Sequence, residues 1–234
     1  VHTRAADLDN WRALSVLPIK RDPDATALAA ESFVRERLAG RRDNLWALMI
    51  GGPGNGYRFD KAQVVAMLEQ CVDLAARHGK LLLVTTSRRT GQDAEDAIAD
   101  WLERHLQAPV AYTVLYGRRP ERVAAIFICL AEVVLCSEES TSMLSEGVHG
   151  HRPVVALAPR DARPVADQAE FLARLEAHCH LLRLPLGDTD PEKFQAFLST
   201  WQSYDGIEQE RLRDDMQACL PTRQTGAASR GPVG

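Results

Sequence analysis

The apolar run Leu45–Ile50 is followed by Gly51-Gly52-Pro53-Gly54-Asn55-Gly56. Three polar strings close later apolar runs: Thr85-Thr86-Ser87-Arg88-Arg89-Thr90, Gly117-Arg118-Arg119 and Ser137-Glu138-Glu139-Ser140-Thr141-Ser142. These residue types handle phosphate. A Gly-rich loop lets backbone N–H groups come close to a ligand and leads into a helix N-terminus. Arginine forks bind phosphate oxygens in pairs, each charge-assisted bond contributing roughly 1.5–3 kcal/mol. Each string also has a plainer reading. The Gly loop is equally a wide turn, and Arg118 and Arg119 read as solvated surface charge. Glu146 is either an exposed helix charge or a carboxylate that accepts both hydroxyls of a ribose, with Ser142 one turn before it on the same face. Arg88, set among Thr85, Thr86, Ser87 and Thr90, reads as functional. His149 and His151 flank Gly150 with no nucleophile paired to them, which fits a helix terminus better than catalysis.

Common nucleotide motifs do not fit. No Gly-Lys-Ser/Thr follows the Gly loop, so it is not a Walker loop. Gly52, Gly54 and Gly56 miss the GxGxxG spacing, Pro53 removes a donor, and no acidic residue closes the second run for a ribose. These departures weigh against an NAD(P)-dependent oxidoreductase or epimerase.

The strings need elements to position them. Leu45–Ile50, Leu81–Thr85, Val110–Tyr116, Val133–Cys136, Val154–Ala158 and Leu181–Pro185 read as six buried strands. Helical spacing falls between them: Lys61 to His78 closed by Gly79, the stripe Ala94, Ile98, Trp101 and Leu102, and a helix with Pro120 as its first residue. Helices over Ser142–His149, Asp167–His178, Pro191–Trp201 and Ile207–Cys219 follow. Alternating strands and helices predict a doubly wound parallel sheet, Rossmann-like, in three α/β/α layers. In the order 3-2-1-4-5-6, crossovers run in opposite directions from strands one and four, and ligands bind outside their carboxyl ends. All four polar strings lie at that edge. Residues 1–42 offer one helix (Ala25 to Leu38) and apolar residues such as Trp11, Leu14, Val16, Leu17 and Ile19, too little for a second α/β domain. They are expected to be a linker or the remnant of an N-terminal domain, with residues 43–220 as the ligand-binding domain and 221–234 as a disordered tail.

Composition narrows the class. The 234 residues are 45% apolar and 26% charged with a net charge of −4, so the whole chain gives no reason to expect nucleic acid as a partner. Apolar stretches such as Val123 to Leu130 are far shorter than a bilayer span, and Arg4, Asp7 and Asp9 stand where a signal peptide would be apolar. The expected location is cytoplasmic, with at most a peripheral place at the inner face of a membrane. Cys71, Cys129, Cys136, Cys179 and Cys219 are odd in number without CxxC spacing, against a disulfide framework or a zinc site. No cofactor and no metal are called for. The chain begins at Val1 rather than Met, either because upstream sequence was removed or because a non-standard start codon was read literally.

The strings IGGPGNGYRFD, TTSRRT and SEESTSMLSEGVHGHRPVVAL together resemble the mitochondrial fission "elongated mitochondria" (ELM) family, over roughly Leu45 to Pro159. Its bacterial members are similar to glycosyltransferases of the two-Rossmann-domain (GT-B) type, whose C-terminal half binds a nucleotide sugar. The resemblance implies Gly51, Gly52 and Gly54 near the diphosphate and Ser87 and Arg88 on its oxygens, within the loop that also holds Thr86 and Arg89. It implies Ser140 and Ser142 by the phosphates or sugar and Glu146 on the ribose. The chain differs in having Glu139-Ser140 where such proteins carry Asp-Ser, and Arg119-Pro120 where they carry Asn-Pro. Two functions stay open: sugar transfer onto an envelope glycan or lipid acceptor, or a non-enzymatic scaffold at a membrane process. With an acceptor domain expected to be absent, the chain is expected to self-associate or to take a partner domain.

Overall fold

The computed structural model describes residues 16–17, 19, 22–188 and 190–219, the last five of these without their side chains. Trp11, Leu14 and the tail 221–234 lie outside the described residues. Strand β1 (Leu45–Ile50) is buried at every position, as expected of a parallel strand covered on both faces. Its side chains alternate. Leu45, Ala47 and Met49 face one core with α1 (Pro23–Arg37), α4 (Ala124–Leu130), α5 (Thr141–His149) and α6 (Ala166–Ala177). Trp46, Leu48 and Ile50 face the other with α2 (Lys61–Arg77), α3 (Gln92–Arg104) and α7 (Pro191–Thr200). Phe127 and Phe194, one in each core, are fully buried. Truncating either to Ala should cost about 3–5 kcal/mol. Helix α8 (Ile207–Cys219) ends the described chain.

Strands β2 (Leu81–Thr86), β3 (Val110–Val114), β4 (Val134–Ser137), β5 (Val154–Ala158) and β6 (Leu181–Pro185) complete a six-stranded sheet of order β3-β2-β1-β4-β5-β6. Every neighbouring pair is parallel. The chain belongs to the doubly wound, Rossmann-like class. Helices α2 and α3 carry the chain from β1 outward to β3, while α5 and α6 carry it from β4 to β6 on the opposite face. The winding reverses between β1 and β4.

Local signals set the helix ends. Asp60 and Gln63 cap α2 reciprocally, and Asp22 and Asp190 cap α1 and α7, each just before a proline at the first helical position. Several boundaries move from the sequence reading, and two of the shifts have a visible cause. Strand β3 stops at Val114, because Tyr116 N–H donates to Thr86 Oγ1 (2.8 Å) and Gly117 N–H to Glu95 Oε1 (2.9 Å) instead of to the ladder. Helix α4 starts at Ala124 rather than at Pro120. The Leu115 carbonyl accepts from Arg118 and Arg119 N–H in a turn, and Val123 enters the core before the helix begins.

Candidate functional site

The reversal places the loops after β1, β2 and β4 around one buried carboxyl group, Glu139, which is 0% exposed. Gly52 N–H donates to its Oε1 at 2.9 Å, and Gly51 N–H donates to Ser137 Oγ at 2.7 Å. Both glycines are required by close approach. A Cβ on Gly51 would stand 1.7 Å from Glu139 Oε1, and one on Gly52 would stand 2.0 Å from the Arg89 carbonyl oxygen. Arg89 lies across the loop, with Nη1 3.3 Å from the Pro53 carbonyl and Nη2 3.5 Å from Glu139 Oε1. Glu139 Oε2 has no partner among the described residues. Burial pushes this carboxyl above its ordinary range, against the pull of Ser137, Gly52 N–H and Arg89.

The second loop is fixed from within. Thr90 Oγ1 reaches the Gly51 and Ile50 carbonyls (2.6 and 2.9 Å) and accepts from Ser87 N–H at 2.9 Å. Thr86 Oγ1 donates to Glu95 Oε1 at 2.5 Å. Ser87 Oγ accepts from Arg89 N–H at 3.1 Å. The threonines are therefore spent on the fold; of the two arginines, Arg89 lies back over the Gly loop and Arg88 is left to solvent. Arg88 is exposed and makes no hydrogen bond or ion pair among the described residues. Arg118 and Arg119 are surface pairs, with Asp96 and Glu121 respectively.

Ser140, 4% exposed, caps α5 by accepting from Met143 N–H at 3.5 Å. Ser142 is exposed and Glu146 half-buried, one turn apart on α5. The structure thus brings Gly51, Gly52, Gly54 and Arg89 together around Glu139, with Thr86, Ser87 and Arg88 on the adjoining loop. Farther along α5, Ser145 Oγ accepts from Leu17 N–H at 3.2 Å, which ties Leu17 to this helix.

Several residues that shape the site escaped the sequence reading. Asn55 Nδ2 donates to the Glu139 carbonyl at 2.7 Å. Tyr57 Oη donates to Glu138 Oε1 at 2.5 Å, and Arg183 grips the same carboxylate bidentately, both contacts at 2.7 Å. Gln168 Nε2 donates to the Glu138 carbonyl at 2.7 Å. The available signal was a pair of carboxylates directly after the apolar run of β4. Glu95, an acid in the first turn of α3, is 1% exposed and was not singled out in the sequence. Cys71, Cys129, Cys136 and Cys179 are free, and burial raises the thiol pKa of Cys71 and Cys136. Among the described residues no group of three His, Cys, Asp or Glu side chains is placed to hold a metal, and no helix is long and apolar enough to cross a membrane.

A family model described as "Mitochondrial fission ELM1" matches residues 16–201. No curated protein matches. Two solved structures are similar at low identity. The glycotransferase of kitacinnamycin gives 15% identity and a TM-score of 0.42, covering 93% of this chain and 43% of that one. The glycosyl transferase family 9 protein from Veillonella parvula DSM 2008 gives 14% and 0.46, covering 88% and 54%. The chain spans about half the length of these structures or less.

Proposed function

The chain belongs to the mitochondrial fission ELM1 family, and from that premise we propose that it is a nucleotide-sugar-binding domain of GT-B glycosyltransferase type. One observation carries the reading: Arg88, exposed and unpaired among the described residues, and Arg89, laid over Gly54, project from a single rigid loop beside the Gly51–Gly54 turn. In this reading the two guanidinium groups take the diphosphate oxygens, with Thr86 and Ser87 shaping their loop. Gly51, Gly52 and Gly54 allow close approach, Ser140 and Ser142 border the phosphates or sugar, and Glu146 holds the ribose. Preorganised positive charge at a departing diphosphate is the contribution such a domain makes to transfer.

A second reading, a non-enzymatic binding or scaffold protein at a membrane face, is favoured by a different observation. The Gly51 and Gly52 N–H groups are already satisfied by Ser137 and Glu139, so the loop offers a ligand less than its composition suggests. Both readings predict nucleotide binding; turnover separates them. At about 100 times its Kd, a nucleoside diphosphate should add roughly 2.7 kcal/mol, a rise in Tm of about 5–10 °C. Arg88→Ala should weaken that binding about 10- to 150-fold, and Arg118→Ala should weaken it far less. Absence of a thermal shift with the uridine, guanosine, adenosine and cytidine diphosphates at millimolar concentration rejects both readings. Radiolabelled nucleotide sugars with membrane lipid extracts then test for transfer.

A further inference from the structure

A second polar cavity opens at the same edge of the sheet, between the carboxyl ends of β5 and β6 and the first turn of α7. Its volume is about 310 Å³, at the small end of the roughly 300–1,000 Å³ typical of ligand pockets. Pro159, Pro164 and Pro185 wall it with rigid rings that carry no N–H. Three cations line it, Arg160, Arg183 and Lys193, against one lining carboxylate, Glu138. That carboxylate is already neutralised by the bidentate Arg183, which Glu176 backs at 3.7 Å. Lys193 reaches Asp188 Oδ2 at 3.2 Å. The Asp190 N–H and Lys193 hold the Asp188 carboxyl below its ordinary range. Arg160 makes no hydrogen bond or ion pair among the described residues, and its Nη2 lies 3.7 Å from where a Cβ on Gly187 would stand. Arg160 and Lys193 line one cavity beside the mutually neutralised Arg183–Glu138 pair; Lys193 shares its charge with Asp188, and the Arg160 fork keeps its donors for a compact anionic group.

We propose that this cavity binds a phosphomonoester group, held by Arg160 and Lys193 above the Arg183–Glu138 pair. The site uses none of the residues assigned to the nucleotide crevice and does not rest on that reading. A free phosphorylated metabolite and the headgroup of a lipid phosphate present the same chemistry, so two probes separate the sources. Glycerol 3-phosphate is titrated calorimetrically into the full chain, and flotation is measured with phosphatidylcholine vesicles with and without phosphatidic acid. Saturable binding of either probe is expected, at least about tenfold weaker in the Arg160→Ala/Lys193→Ala double variant and unchanged in Arg89→Ala. Arg160→Ala, which removes no hydrogen bond or ion pair among the described residues and only a share of the field on Asp188, should weaken it at least about tenfold with a Tm changed by no more than about 1 °C. Binding of glycerol 3-phosphate identifies a soluble ligand; binding only of the phosphatidic acid vesicles identifies a headgroup. Binding of neither probe, equal binding by the double variant, or loss in Arg89→Ala instead overturns the proposal.

Discussion

Glu138 and Glu139 are neighbours in the chain, 3% and 0% exposed, and they are buried on different terms. Glu138 receives two charge-assisted bonds from Arg183 and a third from Tyr57, so its charge is met in full. Glu139 receives one backbone N–H and a long contact from Arg89, keeps one oxygen without a partner among the described residues, and holds its proton more tightly than usual. Successive residues leaving β4 turn to opposite sides, one toward β6 and one toward β1. The β6 side is a finished structural joint. On the β1 side, where Arg89 crosses the Gly loop, Glu139 keeps one oxygen without a partner among the described residues.

Breaking the finished joint should have the largest effect. Arg183→Ala strands a buried charge and should cost about 2–3 kcal/mol, less than the roughly 3–5 of a fully enclosed pair because Arg183 is itself a third exposed. Calorimetry should show Tm lower by about 5–10 °C. A change within about 1 °C would mean that Glu138 is solvated after all. Next comes Gly52→Ala on the other side, where the new methyl meets backbone rather than a flexible side chain. A loss of about 1–3 kcal/mol is expected from urea midpoints, and a tolerated alanine would show that the Ser87–Thr90 loop gives way. Tyr57→Phe removes one of three donors to Glu138 and should cost about 1–1.5 kcal/mol in the same measurement; a neutral result would assign that carboxylate wholly to Arg183.

The smallest effect carries the most information about Glu139. Its folded-state pKa is raised by burial, so its contribution to stability is fully present below the ordinary value of 4.5 and is lost as pH rises toward the raised value. Glutamine does not titrate. The Tm of Glu139→Gln relative to the parent should therefore climb as pH rises above the ordinary carboxyl value of 4.5. A flat or falling difference would mean that Arg89 and Gly52 hold Glu139 ionised.

The sheet was legible because β1 through β6 are short apolar runs separated by helical periods, and a continuous run such as Leu45–Ile50 admits few other readings. The ends of elements were less so: β3 and α4 are trimmed by bonds from Thr86, Glu95 and Leu115, partners chosen in space. The site was legible as a set of loops but not as contacts. Gly51 and Gly52 were readable as special positions, yet their N–H groups go to Ser137 and Glu139 rather than being left for a ligand. Arg88 and Arg89 share a loop and a residue type, so nothing in the sequence says that Arg89 is the one laid over Gly54. Glu138 and Glu139 were indistinguishable for the same reason. Only the turn after β4 separates them.

The bonds from Gly51 to Ser137 and from Gly52 to Glu139 join residues 86 and 87 positions apart. Closing a chain segment of that length costs about 4 kcal/mol in entropy before any bond is made. That cost falls on the seam between the two βαβ halves, so the crevice forms only as the second half docks on the first. During synthesis, a polypeptide halted before Glu139 has the bonds of Thr90 and Arg89 to the Gly loop within reach but lacks the carboxyl group that Gly52 and Arg89 share. Its ribosome-tethered first half would expose the β4-facing edge of β1 as an open pairing surface, vulnerable to aggregation until the next few dozen residues emerge. The bonds that shape the Gly loop thus appear in one step with the docking of the second half.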